Sequence, residues 1–160
     1  MQAIVCVSKS WGIGCENSLL FHISADLKRF RALTVGKTVV LGRNTLLTFP
    51  GGKPLKDRHN VVITRHNVTI EGAEVVHTAQ EALELVSPIA DEVVIIGGAS
   101  VYTAFLPHCD HVRVTKVDAD PEADAFFPNL DRNPHWHIAS QSEWMEENGL
   151  RFCFVDYERN

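Results

Sequence analysis

Two kinds of chemistry can be read from residue types and spacing in this chain: an acid set against an apolar wall, and glycine turns shaped to receive phosphate. Ala25-Asp26-Leu27 places a carboxylate near the start of a stretch whose apolar positions, Leu27, Phe30 and Leu33, follow helical spacing and are expected to face the core. Asp26 and Phe30 are four residues apart and share nearly one face of that helix. A carboxylate beside apolar groups is costly to ionise, so its pKa rises unless a cationic or hydrogen-bonding partner is bound there. The same residue also reads as an ordinary first-turn acid, which the helix dipole favours.

Ile96-Gly97-Gly98-Ala99-Ser100-Val101-Tyr102 follows a strong strand pattern and opens a helix. Bare backbone N–H groups at such a junction can receive a pyrophosphate, and a Cβ there would hold the anion off. A tight turn after a strand explains the same residues, and the spacing is not the G-x-G-x-x-G fingerprint of an ordinary dinucleotide-binding unit. Gly42-Arg43-Asn44-Thr45 repeats the arrangement with a guanidinium and a hydroxyl, and Ile63-Thr64-Arg65-His66 adds a second cation at a strand end. Two cationic strand ends suit a non-bridging phosphate, such as the 2′-phosphate of NADPH, because Arg pairs phosphate oxygens in a fixed fork. Taken singly, each also reads as a solvated loop charge.

Other motifs fail on spacing. Val35-Gly36-Lys37-Thr38 imitates the end of a triphosphate-binding loop, but Arg31 stands where the first glycine belongs and the segment precedes a strand. His108 and His111 flank Cys109 without a second cysteine at ligand spacing or an H-E-x-x-H pattern, so no metal site is expected. Trp136 and Trp144 read as packing residues.

The elements that must position these groups follow from hydrophobic patterning. Ala3–Val7, 39–41, 61–63 and 93–96 are short apolar runs ended by glycine or polar residues, as in strands covered on both faces. Between them, Ser24 is expected to cap the helix carrying Asp26. Thr78 and Glu81 form a capping box for a second helix, and a third spans 98–106. Segments 112–117, 136–144 and 150–157, the last two joined through Glu147-Asn148-Gly149, read as strands ending in an antiparallel hairpin. Segment 8–24 has no clear period and is expected to be a working loop. The fold class is therefore α/β: one domain over 1–160, a three-layer sandwich with a mainly parallel central sheet, an antiparallel C-terminal hairpin and ligand sites at the carboxyl ends of strands.

At 160 residues and 45% hydrophobic content the chain can bury a real core, and a net charge of -5 argues against nucleic-acid binding as its main business. No basic-then-apolar leader opens the chain and no apolar run is of spanning length, so a cytoplasmic protein that uses no membrane is expected. Cys6, Cys15, Cys109 and Cys153 are scattered and read as reduced thiols.

In order and spacing, Gly12-Ile13-Gly14 with Asn17, Ala25-Asp26-Leu27 with Phe30 and Thr34, Gly42-Arg43-Asn44-Thr45, Arg58, Ile96-Gly97-Gly98 with Tyr102, and Val114-Thr115 with Asp124 and Phe127-Pro128 resemble the dihydrofolate reductase family over nearly the whole chain. The resemblance implies reduction of dihydrofolate by NADPH in the service of one-carbon metabolism. It implies that Asp26 grips the pterin by its amidine edge, with Thr115 supporting through water and Phe21 beside the catalytic site. Val5, Cys6, Leu27, Phe30, Phe49, Leu55, Ile96 and Tyr102 would wall the substrate, and Arg58 would pair with the carboxylate of its glutamyl tail. The coenzyme would lie along Cys6, Ile13, Gly14, Asn17, Ser18 and Leu19, then Gly42 to Thr45, Ile63, Thr64, Arg65 and His77, and the run Ile96, Gly97, Gly98, Ala99, Ser100, Val101 and Tyr102, with the loop 11–20 closing over the nicotinamide.

Three departures mark this sequence. Leu20-Phe21 replaces the commoner Pro-Trp, Ala99 and Ser100 follow the paired glycines, and one residue is inserted around Pro50-Gly51-Gly52. A monomer is expected, with antifolates as further ligands. The competing readings are an NADPH-dependent pyrimidine reductase of riboflavin synthesis and a non-catalytic nucleotide-binding module.

Overall fold

The apolar runs become neighbours in one sheet because each strand carries two apolar faces and needs a layer on both. The computed structural model describes residues 1–160. Its elements are β1 (Gln2–Val7), β2 (Gly12–Cys15), β3 (Ser18–Leu19), α1 (Ser24–Thr34), β4 (Thr38–Gly42), α2 (Arg43–Leu46), β5 (His59–Ile63), β6 (Ala73–Val76), α3 (Ala79–Val86), β7 (Val93–Ile95), α4 (Ala99–Phe105), β8 (His111–Val117), β9 (Ala125–Phe126), β10 (Trp136–Gln141), β11 (Met145–Glu147) and β12 (Leu150–Arg159). The main sheet runs β10-β12-β8-β1-β7-β4-β5-β6, with β11 also paired to β12, while β3, β2 and β9 form a small second sheet. Pairings from β8 to β6 are parallel and those of β12 antiparallel, as the sequence predicts.

Strand periodicity sorts the core into two layers. Val39, Leu41, Val62 and Val94 face α1 and α2 through Phe30 and Leu46. Val40, Val61, Val93 and Ile95 face α3 and α4 through Ala82, Val86, Val101 and Phe105. At the far end Asn148 and Gly149, at φ 51 and 81, make the two-residue turn joining β11 to β12. Both need the left-handed conformation that such hairpins require.

Several expectations need correction. Ser24 does not cap α1: the N-cap residue is Ile23, and the Glu147 carboxylate from the distant hairpin accepts from Ser24 N (2.6 Å) and Ala25 N (3.2 Å). Leu27 does not face the core but is 56% exposed, because the first turn of α1 overhangs an open cleft. The segment read as one strand over 136–144 breaks at Ser142, after a register shift between Ile138 and Ser140. Trp136 is buried as expected, whereas Trp144 is exposed and stacks under Arg151. Thr78 caps α3 through Glu81 N at 3.0 Å, but Glu81 reaches back to His77 N rather than to Thr78. The aperiodic loop 8–24 contains β2 and β3. No helix is long and apolar enough to cross a membrane.

The two hydrogen bonds from Glu147 yield a prediction. Glu147→Ala should lower stability by about 1 kcal/mol, the usual worth of an N-terminal cap, while Ser24→Ala should leave it nearly unchanged. Urea midpoints at a constant m-value check both.

Candidate active site

β1 and β7 pair only through Gln2 and Ala3, and beyond them the strands part. β7 ends at Ile95 and the chain turns through Gly97, whose φ of +113 is the first reason a side chain is excluded. The second is space, because a Cβ at Gly97 would lie 3.1 Å from the Tyr102 ring. That ring is buried in the parting, and its hydroxyl donates to the Ile4 carbonyl at 2.6 Å. A cleft of about 990 Å³ opens above, at the carboxyl ends of β1, β4, β5 and β7. That is the upper end of the size range of small-molecule sites.

One half of the cleft is apolar, with Val5, Leu20, Phe21, Leu27 and Ile96 along it. Asp26 enters this half from the first turn of α1. Thr115 Oγ1, buried on β8, donates to Asp26 Oδ1 at 2.6 Å, so the support expected to run through water is a direct hydrogen bond. Burial raises the Asp26 pKa, and the Thr115 hydrogen bond, the nearby Arg29 charge and the Cys6 thiol oppose it without cancelling it. Burial, reinforced by Asp26, pushes the Cys6 thiol well above its usual range.

The other half is cationic. Arg43 and Arg65 line it with His66 and His77, and neither arginine is among the ion-paired residues. His77 Nδ1 lies 2.9 Å from the Thr64 carbonyl, which can only accept, so that nitrogen carries the proton. Ala99, Ser100 and Val101 open α4 beside these cations, with first-turn N–H groups that have no intrahelical acceptor.

β2 and β3 form a flap over the cleft through Ile13, Gly14, Asn17, Ser18 and Leu19. Gly12 is required at its base, where a Cβ would come within 2.7 Å of Ala123 Cβ. Trp11 just before it is buried at φ 63, stacked on Phe127. Asp124 ties the tip down, accepting from Glu16 N at 2.9 Å and donating its own N–H to Gly14 O at 3.0 Å.

Most expected site residues thus converge. Phe30, Phe49 and Leu55 do not line the cleft; they are half-buried against Val39, Leu41 and Val62 in the adjoining core layer. Arg58 also lies outside the lining, near Arg31, and its buried Nε has no hydrogen-bond partner. Cys15, Leu20, His22, Ile23, Leu47, Thr48, His66, Thr78, Ala79, Asp124 and Ala125 line the cleft beyond the expected set. The capping box at Thr78 was a usable signal, since it marks the start of α3, whose first residues line the cleft. Ala125 gave none, because the two-residue β9 carries no period.

A family model described as dihydrofolate reductase matches residues 1–159. The dihydrofolate reductase of Neisseria meningitidis serogroup B is 39% identical over 158 residues, covering 98% of this chain and 96% of that protein. That of Neisseria gonorrhoeae is 38% identical over 156 residues, 96% of this chain and 94% of that protein. That of Bacillus subtilis is 32% identical over 150 residues, 92% and 87% respectively.

The raised Asp26 pKa has a sign that stability measurements can check. A carboxyl that binds its proton more tightly folded than unfolded stabilises the fold at low pH, and that contribution is lost as pH climbs from the unfolded value, about 3.9, through the raised one. Asp26→Asn should therefore be more stable than the parent at neutral pH, with the difference vanishing below about pH 4. Urea midpoints across that range provide the measurement.

Proposed function

The chain belongs to the dihydrofolate reductase family, and from that premise we propose that it reduces dihydrofolate to tetrahydrofolate with NADPH as the hydride donor. The observation that carries the reading is the Asp26 carboxyl, set in the apolar half of a cleft whose other half is cationic. A flat heterocycle with an amidine edge needs an acceptor of this kind, and an apolar wall on either side for its faces.

The residues fit the coenzyme. At Gly98 a Cβ would meet Thr45 Oγ1 at 3.3 Å, narrowing the cradle where a phosphate would approach backbone. Arg43 and Arg65 would take the phosphates of the adenosine half, with Thr64 and His77 beside them, and the flap residues Ile13, Gly14 and Asn17 would cover the other end. When bound, NADPH supplies a hydride to the pterin C=N bond.

The protein's own groups supply the rest. As the carbon of that bond gains a hydride, the adjacent nitrogen must gain a proton. Asp26 grips the far edge of the ring and cannot reach that nitrogen, so it acts by charge, raising the ring's affinity for a proton that water delivers. Thr115 fixes the carboxyl in orientation through Oδ1, and Oδ2 would accept from substrate. Phe21 lines the cleft without a donor to hold a water, so the delivering water must be positioned by other groups. Flap closure excludes bulk solvent and strengthens each of these interactions.

Arg58 would bind the tail carboxylate. Burial, helped by the Arg31 charge, lowers its pKa, and its unpartnered Nε is a donor awaiting an anion.

Two outcomes are expected. NADPH absorbance in the near ultraviolet should fall only when dihydrofolate is present, and Asp26→Asn should cut turnover at neutral pH by at least about tenfold. A folded parent protein that leaves NADPH unconsumed sinks the assignment. Arg58→Gln should raise KM for dihydrofolate by about tenfold with kcat nearly unchanged, and should leave KM for a pterin lacking the glutamyl tail as it was.

A further inference from the structure

Asp26 and Arg29 stand three residues apart on α1, a spacing at which an acid and a base are neighbours and readily pair. They do not pair here. The Arg29 guanidinium lies 4.3 Å from the centroid of the Phe154 ring and donates to Asp156 Oδ1 at 2.8 Å. Both side chains are mostly covered, 21% and 22% exposed, so solvent screens the pair only weakly. Asp156, on β12, also accepts from Arg113 on β8 at 3.0 Å and from Ser140 on β10 at 3.2 Å. Phe154, on which Arg29 rests, is the cross-strand partner of Thr115, the residue that donates to Asp26. The perch of Arg29 and the hydroxyl that holds the Asp26 carboxyl therefore sit side by side on the sheet.

The groups facing Asp26 come from four elements: the Thr115 hydroxyl on β8, the Cys6 thiol on β1, the Tyr102 phenol on α4, and Arg29 on its own helix. The thiol and phenol stay neutral, since burial raises the pKa of each. The hydroxyl is held at 2.6 Å. Arg29 is thus the one full charge in the set, on a long side chain with two carboxylates within its range. Two arginines share Asp156, but Arg113 also donates to Gln2 Oε1 at 3.2 Å, so losing that acid leaves Arg29 as the guanidinium without a hydrogen-bond acceptor.

We propose that Asp156 is a positioning residue that competes with Asp26 for the Arg29 guanidinium, and thereby sets the pH below which Asp26 loses the charge that the reduction uses. The inference rests on Asp26 being the pterin-holding acid. With Asp156 in place, Arg29 is kept on Phe154 and the carboxyl stays easier to protonate. With Asp156 neutralised, Arg29 is free to turn to Asp26, and an opposite charge within about 4–6 Å favours the ionised carboxyl by one to three pKa units.

The test combines the pH dependence of hydride transfer with direct titration of the Asp26 side-chain carbon by NMR in ligand-free protein. Asp156→Asn should move both midpoints down by about one unit, a tenfold loss of proton affinity, and Asp156→Glu should restore them. Arg29→Gln should move both up, and adding Asp156→Asn to it should produce little further change. A merely structural Asp156 would lower stability and rate at every pH while leaving both midpoints in place, and that result overturns the proposal. Should Asp156→Asn not fold, Asp156→Ser takes its place: the same downward shift supports the competition and an unmoved titration rejects it. If no variant, parent included, reduces dihydrofolate, the folate reading fails, whereas the NMR titration still decides whether the two acids compete.

Discussion

A carboxyl group largely withdrawn from water has to be held by protein atoms, and in this fold the holder is a hydroxyl on the neighbouring strand. The 2.6 Å hydrogen bond from Thr115 to Asp26 joins the first turn of α1 to the centre of the sheet, and the site is built around it. It resists the effect of burial without reversing it, so the acid remains available to a proton. Its geometry depends on Glu147 seating the start of α1 and on β8 lying beside β1, two contacts between segments far apart in the chain. A shift of either would unseat the carboxyl before any residue in the cleft had changed.

The cleft exists because the sheet opens. β7 follows β1 for only two residues and then departs, and the gap is filled from below by Tyr102 rather than by backbone. The exposed carboxyl ends of β4 and β5 then bring Arg43 and Arg65 to the same opening as Asp26. Parallel strands force this grouping: their crossovers return every strand's carboxyl end to one side of the sheet, so residues spread between positions 5 and 102 meet there.

Much of this was legible beforehand. Apolar runs with β-branched residues marked the buried strands, and the glycine pair after β7 and the arginines after β4 and β5 marked the rim. What escaped was mostly long-range. No local signal says that Glu147 rather than Ser24 serves α1, since the acceptor comes from 123 residues away. Leu27 obeyed the helical period yet faces the cleft, because periodicity reports an apolar face and not what covers it. The flap strands were invisible at four and two residues each, and β6, interrupted by Glu74, was missed for the same shortness. Phe30, Phe49 and Leu55 were grouped with the site and pack beside the cleft, serving as core for the layer under α1.

The margins of the main sheet carry a consequence for how this molecule meets its neighbours. One margin, β6, is four residues long with Glu74 in its middle, and the other, β10, loses register between Ile138 and Ser140. Short length, an edge charge and a bulge are each known to spoil the template that unpaired strand backbone offers to a second chain. Despite eight strands laid side by side, the backbone therefore offers no long flat border for another copy to extend, and crowding in concentrated solution is less apt to end in fibrous aggregates.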